Sequence, residues 1–148
     1  MGRYEVSTDR GRLDVGLIHR FLAEDSYWAR GVSREVVERS LENSLCFGVY
    51  AGGSQVAFAR AVTDRSTFAW LADVFVVEEH RGRGVGELLV RAVLSHPELQ
   101  TLRRWLLATA DAQGLYRRFG FEDSPEARFM MREAEAARWA LDSRATPD

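Results

Sequence analysis

The residues with the clearest chemical potential stand in one turn. Val74-Phe75-Val76-Val77 reads as the end of a buried strand. It runs through Glu78-Glu79-His80 into Arg81-Gly82-Arg83-Gly84-Val85-Gly86, which opens a helix with Val85, Leu88, Leu89, Ala92 and Val93 on one face. The glycines let the backbone approach a ligand where a Cβ would clash. The unpaired N–H groups of the helix's first turn, its dipole, and donors on Arg81 and Arg83 complete a seat for a pyrophosphate. Of two better-known phosphate loops, one is excluded and the other matches poorly. No Gly-Lys-Ser/Thr follows, as a Walker A loop needs. A dinucleotide fingerprint follows the first strand of a βαβ unit, with an acidic residue about 20 positions on at the end of the next strand. Here the turn follows a meander of strands, and the next strand ends in Ala108-Thr109.

Other reactive side chains are few. Cys46 is the one cysteine and lies in the apolar run Leu45-Cys46-Phe47-Gly48-Val49, where it reads as an inert core thiol. It has no disulfide partner, and His19, His80 and His96 lack ligand spacing, so no metal site is expected. Tyr116 lies in Leu115-Tyr116-Arg117-Arg118-Phe119-Gly120-Phe121. In isolation it reads as a tyrosine packed on Phe119 and Phe121.

These residues need elements to position them. Tyr4 to Ser7 reads as a short strand. Leu13, Leu17, Ile18, Phe21 and Leu22 are spaced for one helix face, and Glu24 to Gly31 reads as a loop. Ser33 caps a second helix carrying Val36, Val37 and Leu41. The period then shortens: Ser44–Tyr50, Gln55–Thr63 and Thr67–Val77 are strands joined by turns at Ala51-Gly52-Gly53-Ser54 and Asp64-Arg65-Ser66. The helix from Gly84 ends at Pro97, and Arg104–Ala108 is a strand. A right-handed crossover makes it a parallel neighbour of the strand before the helix. Asp111 is expected to cap a short helix that stops at Gly120. Phe121 and Phe129-Met130-Met131 are expected to supply the last strand, with Glu133–Leu141 weakly helical and Ser143–Asp148 frayed. The fold class is α+β, with helices on both faces of one mixed, mostly antiparallel sheet.

At this point the chain resembles the GCN5-related N-acetyltransferase (GNAT) superfamily. Arg81-Gly82-Arg83-Gly84-Val85-Gly86 matches its Arg/Gln-x-x-Gly-x-Gly/Ala signature, and Leu115-Tyr116-Arg117-Arg118-Phe119-Gly120-Phe121 matches its Leu-Tyr-x-x-x-Gly-Phe segment. The two stand in the family's order, one helix and one strand apart, and the likeness in element order runs from about Tyr4 to Met131. The resemblance implies a sheet splayed between its fourth and fifth strands and acetyl-CoA as cosubstrate. It implies acetyl transfer to a primary amine of a small molecule or peptide, directly within a ternary complex. The pyrophosphate is then expected on the backbone of Arg81, Gly82, Arg83, Gly84, Val85, Gly86 and Glu87. The pantetheine arm is expected in the splay, beside the main chain of Phe75, Val76 and Val77, where one N–H polarises the thioester carbonyl. Tyr116 is implied as the general acid that protonates the leaving thiolate.

The resemblance is less complete at the base. Ala72-Asp73-Val74-Phe75-Val76 is similar to the Glu-Asp-Leu-Tyr-Val of polyamine acetyltransferases, but Ala72 replaces the Glu that accepts the amine's proton through water. Asp73 is adjacent, yet successive strand residues face opposite sides. It is assigned to binding an amine, acting through water, or satisfying backbone groups, with Asp25 or Glu24 as replacements. Asp111 stands where many relatives carry an Asn that contacts the pantetheine amides. The acceptor is expected beside Glu24, Asp25, Tyr27 and Trp28, with Phe47, Phe68, Trp70 and Trp105 as further walls. The missing Glu also leaves open a non-catalytic acyl-CoA sensor.

Composition fits one globular domain over residues 1–148, with a core of about 4–131 and a tail of 132–148. The chain has 148 residues, 46% hydrophobic and 28% charged. All 20 basic residues are arginine against 22 acids, for a net charge of -2, so no nucleic-acid partner is expected. No apolar run approaches the ~18 residues of a membrane span. With no signal-like N-terminus and one free thiol, the expected address is cytoplasmic, for a monomer or homodimer.

Overall fold

A computed structural model describes residues 3–124 and 129–134 of the chain. Five strands form one sheet in the order of the sequence: β1 (Tyr4–Ser7), β2 (Leu45–Ala51), β3 (Ser54–Thr63), β4 (Phe68–Val76) and β5 (Arg104–Leu107). The first three pairings are antiparallel and β4 to β5 is parallel. The β2–β3 turn places Gly52 and Gly53 at φ +58° and +87°, the double left-handed pair that matches the twist of a two-residue hairpin.

Helices cover both faces. α3 (Val85–Ser95) buries Val85, Leu89, Val90 and Val93 against Phe47, Val49, Ala57, Ala59, Ala61 and Leu71. On the other face, α1 (Val15–Arg20) and α2 (Arg34–Glu42) bury Ile18, Val37 and Leu41 with Leu22 against Cys46, Phe58 and Phe75. Asp14 and Ser33 cap these two helices, accepting from the N–H groups of Leu17 and Val36 at 3.0 and 3.2 Å. No described helix is long and apolar enough to cross a membrane.

The parallel pair sets up the opening. β5 ends with Leu107 opposite Leu71, whereas β4 runs on to Val76. The outer edge of β4 beyond Leu71 therefore lacks a strand partner on the β5 side, and the two strands part there.

Three expectations need correction. The first amphipathic stretch is not one α-helix: α1 closes at Arg20 and passes into a π-helical turn, Phe21–Asp25, whose Ser26 N–H reaches the Phe21 carbonyl at 2.9 Å. Glu24 and Asp25 thus belong to the helix end, and the loop begins at Ser26. Asp111 caps nothing: α4 (Gln113–Arg117) starts after Ala112, and the Thr109 hydroxyl takes the Ala112 N–H at 3.0 Å. Asp111 stands one residue before the N-cap, Ala112, and among the described residues no side chain accepts from the first turn of α4. No strand follows β5 among the described residues. Phe129, Met130 and Met131 are exposed. Three consecutive apolar residues do not specify one sheet face, so the run carried no strand register. The helical and frayed tail expectations at 135–148 lie outside the described residues.

Candidate active site

The site is assembled where β4 ends. Val77 donates to the Val56 carbonyl at 2.9 Å and accepts from His80 N–H at 3.0 Å, so its main chain is fully used. Strand alternation then turns Phe75 toward β3, with which it is in register at Phe58, and turns Val76 toward the splay. Of the three residues expected to line the cosubstrate with main chain, Val76 has its N–H directed there. Its carbonyl accepts from Arg81 Nε at 2.9 Å, which ties the loop's first arginine back to the strand.

The following loop is shaped by glycine at two positions. Gly82 and Gly84 lie at φ +75° and +80°, and a Cβ on either would meet nothing within 4 Å. Gly84 is the N-cap of α3 and supplies no side chain. Among the described residues, the N–H groups of Gly82, Arg83, Gly84, Val85, Gly86 and Glu87 have no protein acceptor. Six successive donors at a helix N-terminus form an anion cradle, and they fit a pyrophosphate. Gly86 differs in kind. Its φ is ordinary, and a Cβ there would touch Leu115 Cδ2 at 3.6 Å, so it marks the approach of α3 to α4. The Glu87 carboxylate pairs with Arg118, the residue after α4. The loop's other flank is pinned to β1 by the Tyr4 hydroxyl and His80 Nδ1, 2.8 Å apart.

Tyr116 sits in α4 with its ring buried, 7% exposed. Its helix ends in a Schellman closure: Gly120 (φ +90°) donates to Arg117, Phe121 donates to Tyr116, and the Tyr116 and Phe121 rings meet edge-on at 5.8 Å. Gly120 thus stops the helix as expected and fixes the tyrosine's backbone. The Tyr116 hydroxyl has no hydrogen-bond partner among the described residues and is not sealed from solvent. Burial, then the nearby Asp111 charge and Tyr27 phenol, push its pKa up to about 12. The phenol therefore stays protonated near neutrality, as an acid must. Asp111 is exposed beside it.

Across the splay lies the loop after the π-helical turn. Tyr27 accepts from the Ala110 N–H at 2.9 Å, just beyond β5, and Trp28 Nε1 donates to Asp73 Oδ1 at 2.9 Å on β4. The two rings meet edge-on at 5.0 Å. One dipeptide therefore reaches both sides of the opening. Asp73 is a left-handed residue, φ +55°, in a β-bulge where the register between Arg60↔Ala72 and Phe58↔Phe75 gains a residue. The bulge breaks the strand alternation, so the Asp73 carboxylate reaches the face that carries Arg60. Arg60 Nε donates to Asp73 Oδ2 at 2.9 Å, and Arg60 also donates to the Ser44 hydroxyl at 3.1 Å.

Glu24 and Asp25 are exposed on the helix end. Phe47 is fully buried under α3, edge-on to His96, and is no pocket wall. Trp105 is half-buried in the same core. Phe68 and Trp70 are part-exposed further down β4. The sequence reading missed Arg60, Thr109 and Ala110. Arg60 did leave a signal, a lone charge inside Val56-Ala57-Phe58-Ala59-Arg60-Ala61-Val62. Among the described residues no group of three or more His, Cys, Asp or Glu is placed to hold a metal.

A family model of the acetyltransferase (GNAT) domain matches residues 42–123, more than half of the chain. The chain belongs to the GNAT acetyltransferase family. A candidate acetyltransferase of Gibberella zeae, FG08082, is 32% identical over 149 residues, covering 84% of this chain and 82% of that protein. The crystal structure of a candidate GNAT-family acetyltransferase from Xanthomonas campestris pv. campestris is 49% identical, with a TM-score of 0.86 over 95% of this chain and 96% of the other. AAC(6')-Iy, solved with the bisubstrate analog CoA-S-monomethyl-acetylneamine, shares the GNAT fold at a TM-score of 0.65 and 20% identity, over 88% of this chain and 99% of the other. As a GNAT acyltransferase, this chain is of a family that uses acetyl-CoA and an acceptor substrate.

Proposed function

We propose that this acetyltransferase moves the acetyl group of acetyl-CoA directly to a primary amine of a small molecule or peptide, within a ternary complex on one catalytic domain. The observation that carries the reading is the run of six unpaired N–H groups from Gly82 to Glu87 at the mouth of the β4–β5 splay. In this reading the cradle binds pyrophosphate, and Arg83 and the free end of Arg81 add charge. The pantetheine arm lies in the splay with Asp111 at its side. The Val76 N–H polarises the thioester carbonyl, where a fixed dipole in a partly dry site acts most strongly. The amine nitrogen bonds to that carbonyl carbon, the carbon–sulfur bond breaks, and Tyr116 gives its proton to the departing sulfur. The amine loses its own proton to water or to a carboxylate at the end of the π-helical turn, Glu24 or Asp25.

The acceptor in this reading is a small or terminal amine that enters past Tyr27 and Trp28. An aromatic wall with carboxylates nearby suits one ammonium group through cation–π contact and ion pairing. A net charge of -2 gives little long-range pull on a polybasic chain. The enzyme acts as a monomer or homodimer in the cytoplasm, where Cys46 stays reduced. Thiol release from acetyl-CoA with benzylamine, putrescine, glycinamide and a lysine-rich peptide tests this. Turnover of at least one small amine is expected. A lysine-rich peptide turned over tenfold better in kcat/KM than every small amine contradicts the acceptor assignment.

A further inference from the structure

Asp73 is the residue whose surroundings least resemble those of a base. Its side chain is 12% exposed, and each oxygen already carries a donor: Trp28 Nε1 on one and Arg60 Nε on the other, both at 2.9 Å. Arg60 is itself 18% exposed and braced by the Ser44 hydroxyl at 3.1 Å. A buried ion pair of this kind survives only when its remaining hydrogen bonds are satisfied, and here the tryptophan satisfies them. The bulge that puts Asp73 at φ +55° is what brings this carboxylate to the loop's side of the sheet. Trp28 is also part of an aromatic tier, 6.5 Å from Phe21, which stacks on Phe75 of β4 at 4.0 Å.

We propose that Ser44, Arg60 and Asp73 form a positioning relay that locks the Trp28 indole, and with it the Ser26–Gly31 loop, over the β4–β5 splay. Asp73 is then a positioning residue that sets acceptor affinity through Trp28. The loop needs such a lock because its own bonds are local: Ala29 N–H to Ser26 Oγ at 3.1 Å and Gly31 N–H to the Ala23 carbonyl at 2.9 Å. Among the described residues, Trp28 and Tyr27 make the loop's hydrogen bonds to residues far away in sequence. Preorganising the wall removes an ordering cost from acceptor binding, so its loss appears in KM rather than in kcat.

The functional half of this proposal rests on the acetyl-transfer reading, and the structural half does not. Hydrogen exchange at the Ala29 and Gly31 amides of the ligand-free full chain tests the lock alone. Trp28→Phe keeps an aromatic ring and removes the N–H, and Asp73→Ala removes its acceptor. Each is expected to speed exchange at both amides at least tenfold while the β2 and β3 amides stay protected. Unchanged exchange in both variants overturns the relay, whatever the enzyme acetylates. In steady-state assays with the fastest acceptor among benzylamine, putrescine and glycinamide, either variant is expected to raise acceptor KM about tenfold. The expected change in kcat is below threefold, with the acetyl-CoA Kd unaltered. The double variant is expected to be no worse than the single ones, because both break one contact. Asp73→Asn, which keeps an oxygen for Trp28, is expected to recover most of the loss. A hundredfold fall in kcat in both Asp73→Ala and Asp73→Asn, with the acidic limb of the pH profile erased, makes Asp73 a base and overturns the proposal.

Discussion

Tyr116 owes its suitability as an acid to two separate facts. Its ring is clamped in the core by the closure at Gly120-Phe121, and its hydroxyl has no hydrogen-bond partner among the described residues. Burial first, then Asp111 and Tyr27, hold the pKa at about 12, so the proton is present across the working range. Tyr116→Phe is expected to lower kcat by ~10²–10⁴ while the acetyl-CoA KM moves little, since a proton given only as sulfur leaves stabilises only the transition state. Steady-state kinetics at saturating acceptor checks this, and a loss below threefold reduces Tyr116 to a packing residue. The same pKa fixes the sign at high pH. Activity that depends on a protonated phenol falls only as pH rises through about 12, so no alkaline limb below pH 10 belongs to this group.

At the scale of elements, the loop before α3 and the helix itself use glycine for different ends. Gly84, at φ +80°, needs a left-handed backbone, whereas a Cβ at Gly86 would only touch Leu115 Cδ2 at an ordinary 3.6 Å. Gly84→Ala is expected to cost about 1–2 kcal/mol of stability. Gly86→Ala, with an ordinary van der Waals contact and no backbone strain, is expected to change it by less than about 0.5 kcal/mol. Urea unfolding of the two variants separates these roles, and equal losses contradict them. The contrast also shows what could be read from the chain. The strands, the hairpin at Gly52-Gly53, the Ser33 cap and the parallel β4–β5 pair follow from local period and turn chemistry, which the sequence carries residue by residue. The bulge at Asp73 does not. Alternation put Asp73 on the face away from Ala72, and the residue inserted in β4 between the Arg60↔Ala72 and Phe58↔Phe75 pairs brings its carboxylate around. The π-helical turn at Phe21–Asp25 was hidden for a similar reason, because an i+5 bond leaves apolar spacing almost unchanged. The cap expected of Asp111 fails because the helix starts one residue later than the residue type suggested, with Ala112 as its N-cap.

Over the whole molecule, titration at high pH is unusually simple. All 20 basic side chains are arginine, so no lysine titrates between pH 9 and 12. Burial pushes the Cys46 thiol up from 9.0 to about 11 and Tyr116 from 10.0 to about 12, and Tyr50 is raised by the same cause. Each group keeps its proton longer in the folded chain than in the unfolded one. Their contribution is therefore complete below pH 9 and is lost as pH rises through 9–12, on the order of 2–3 kcal/mol for each of Cys46 and Tyr116. Urea midpoints measured from pH 8.5 to 11.5 are expected to fall. Cys46→Ala should flatten the first part of that fall and Tyr116→Phe the second, and slopes unchanged in both variants contradict the assignment. The central claim, however, is that acetyl-CoA is held by the backbone at the start of α3. Calorimetry of acetyl-CoA binding to the wild-type chain and to Gly84→Asp tests it most directly. A Cβ and a carboxylate at the helix N-cap add strain and a negative charge beside the N–H groups proposed to hold the pyrophosphate. One molecule of acetyl-CoA is expected to bind per wild-type chain, with binding lost in a Gly84→Asp protein whose circular dichroism shows it folded. Equal affinity in the two folded proteins, or no binding by the wild type, would contradict it.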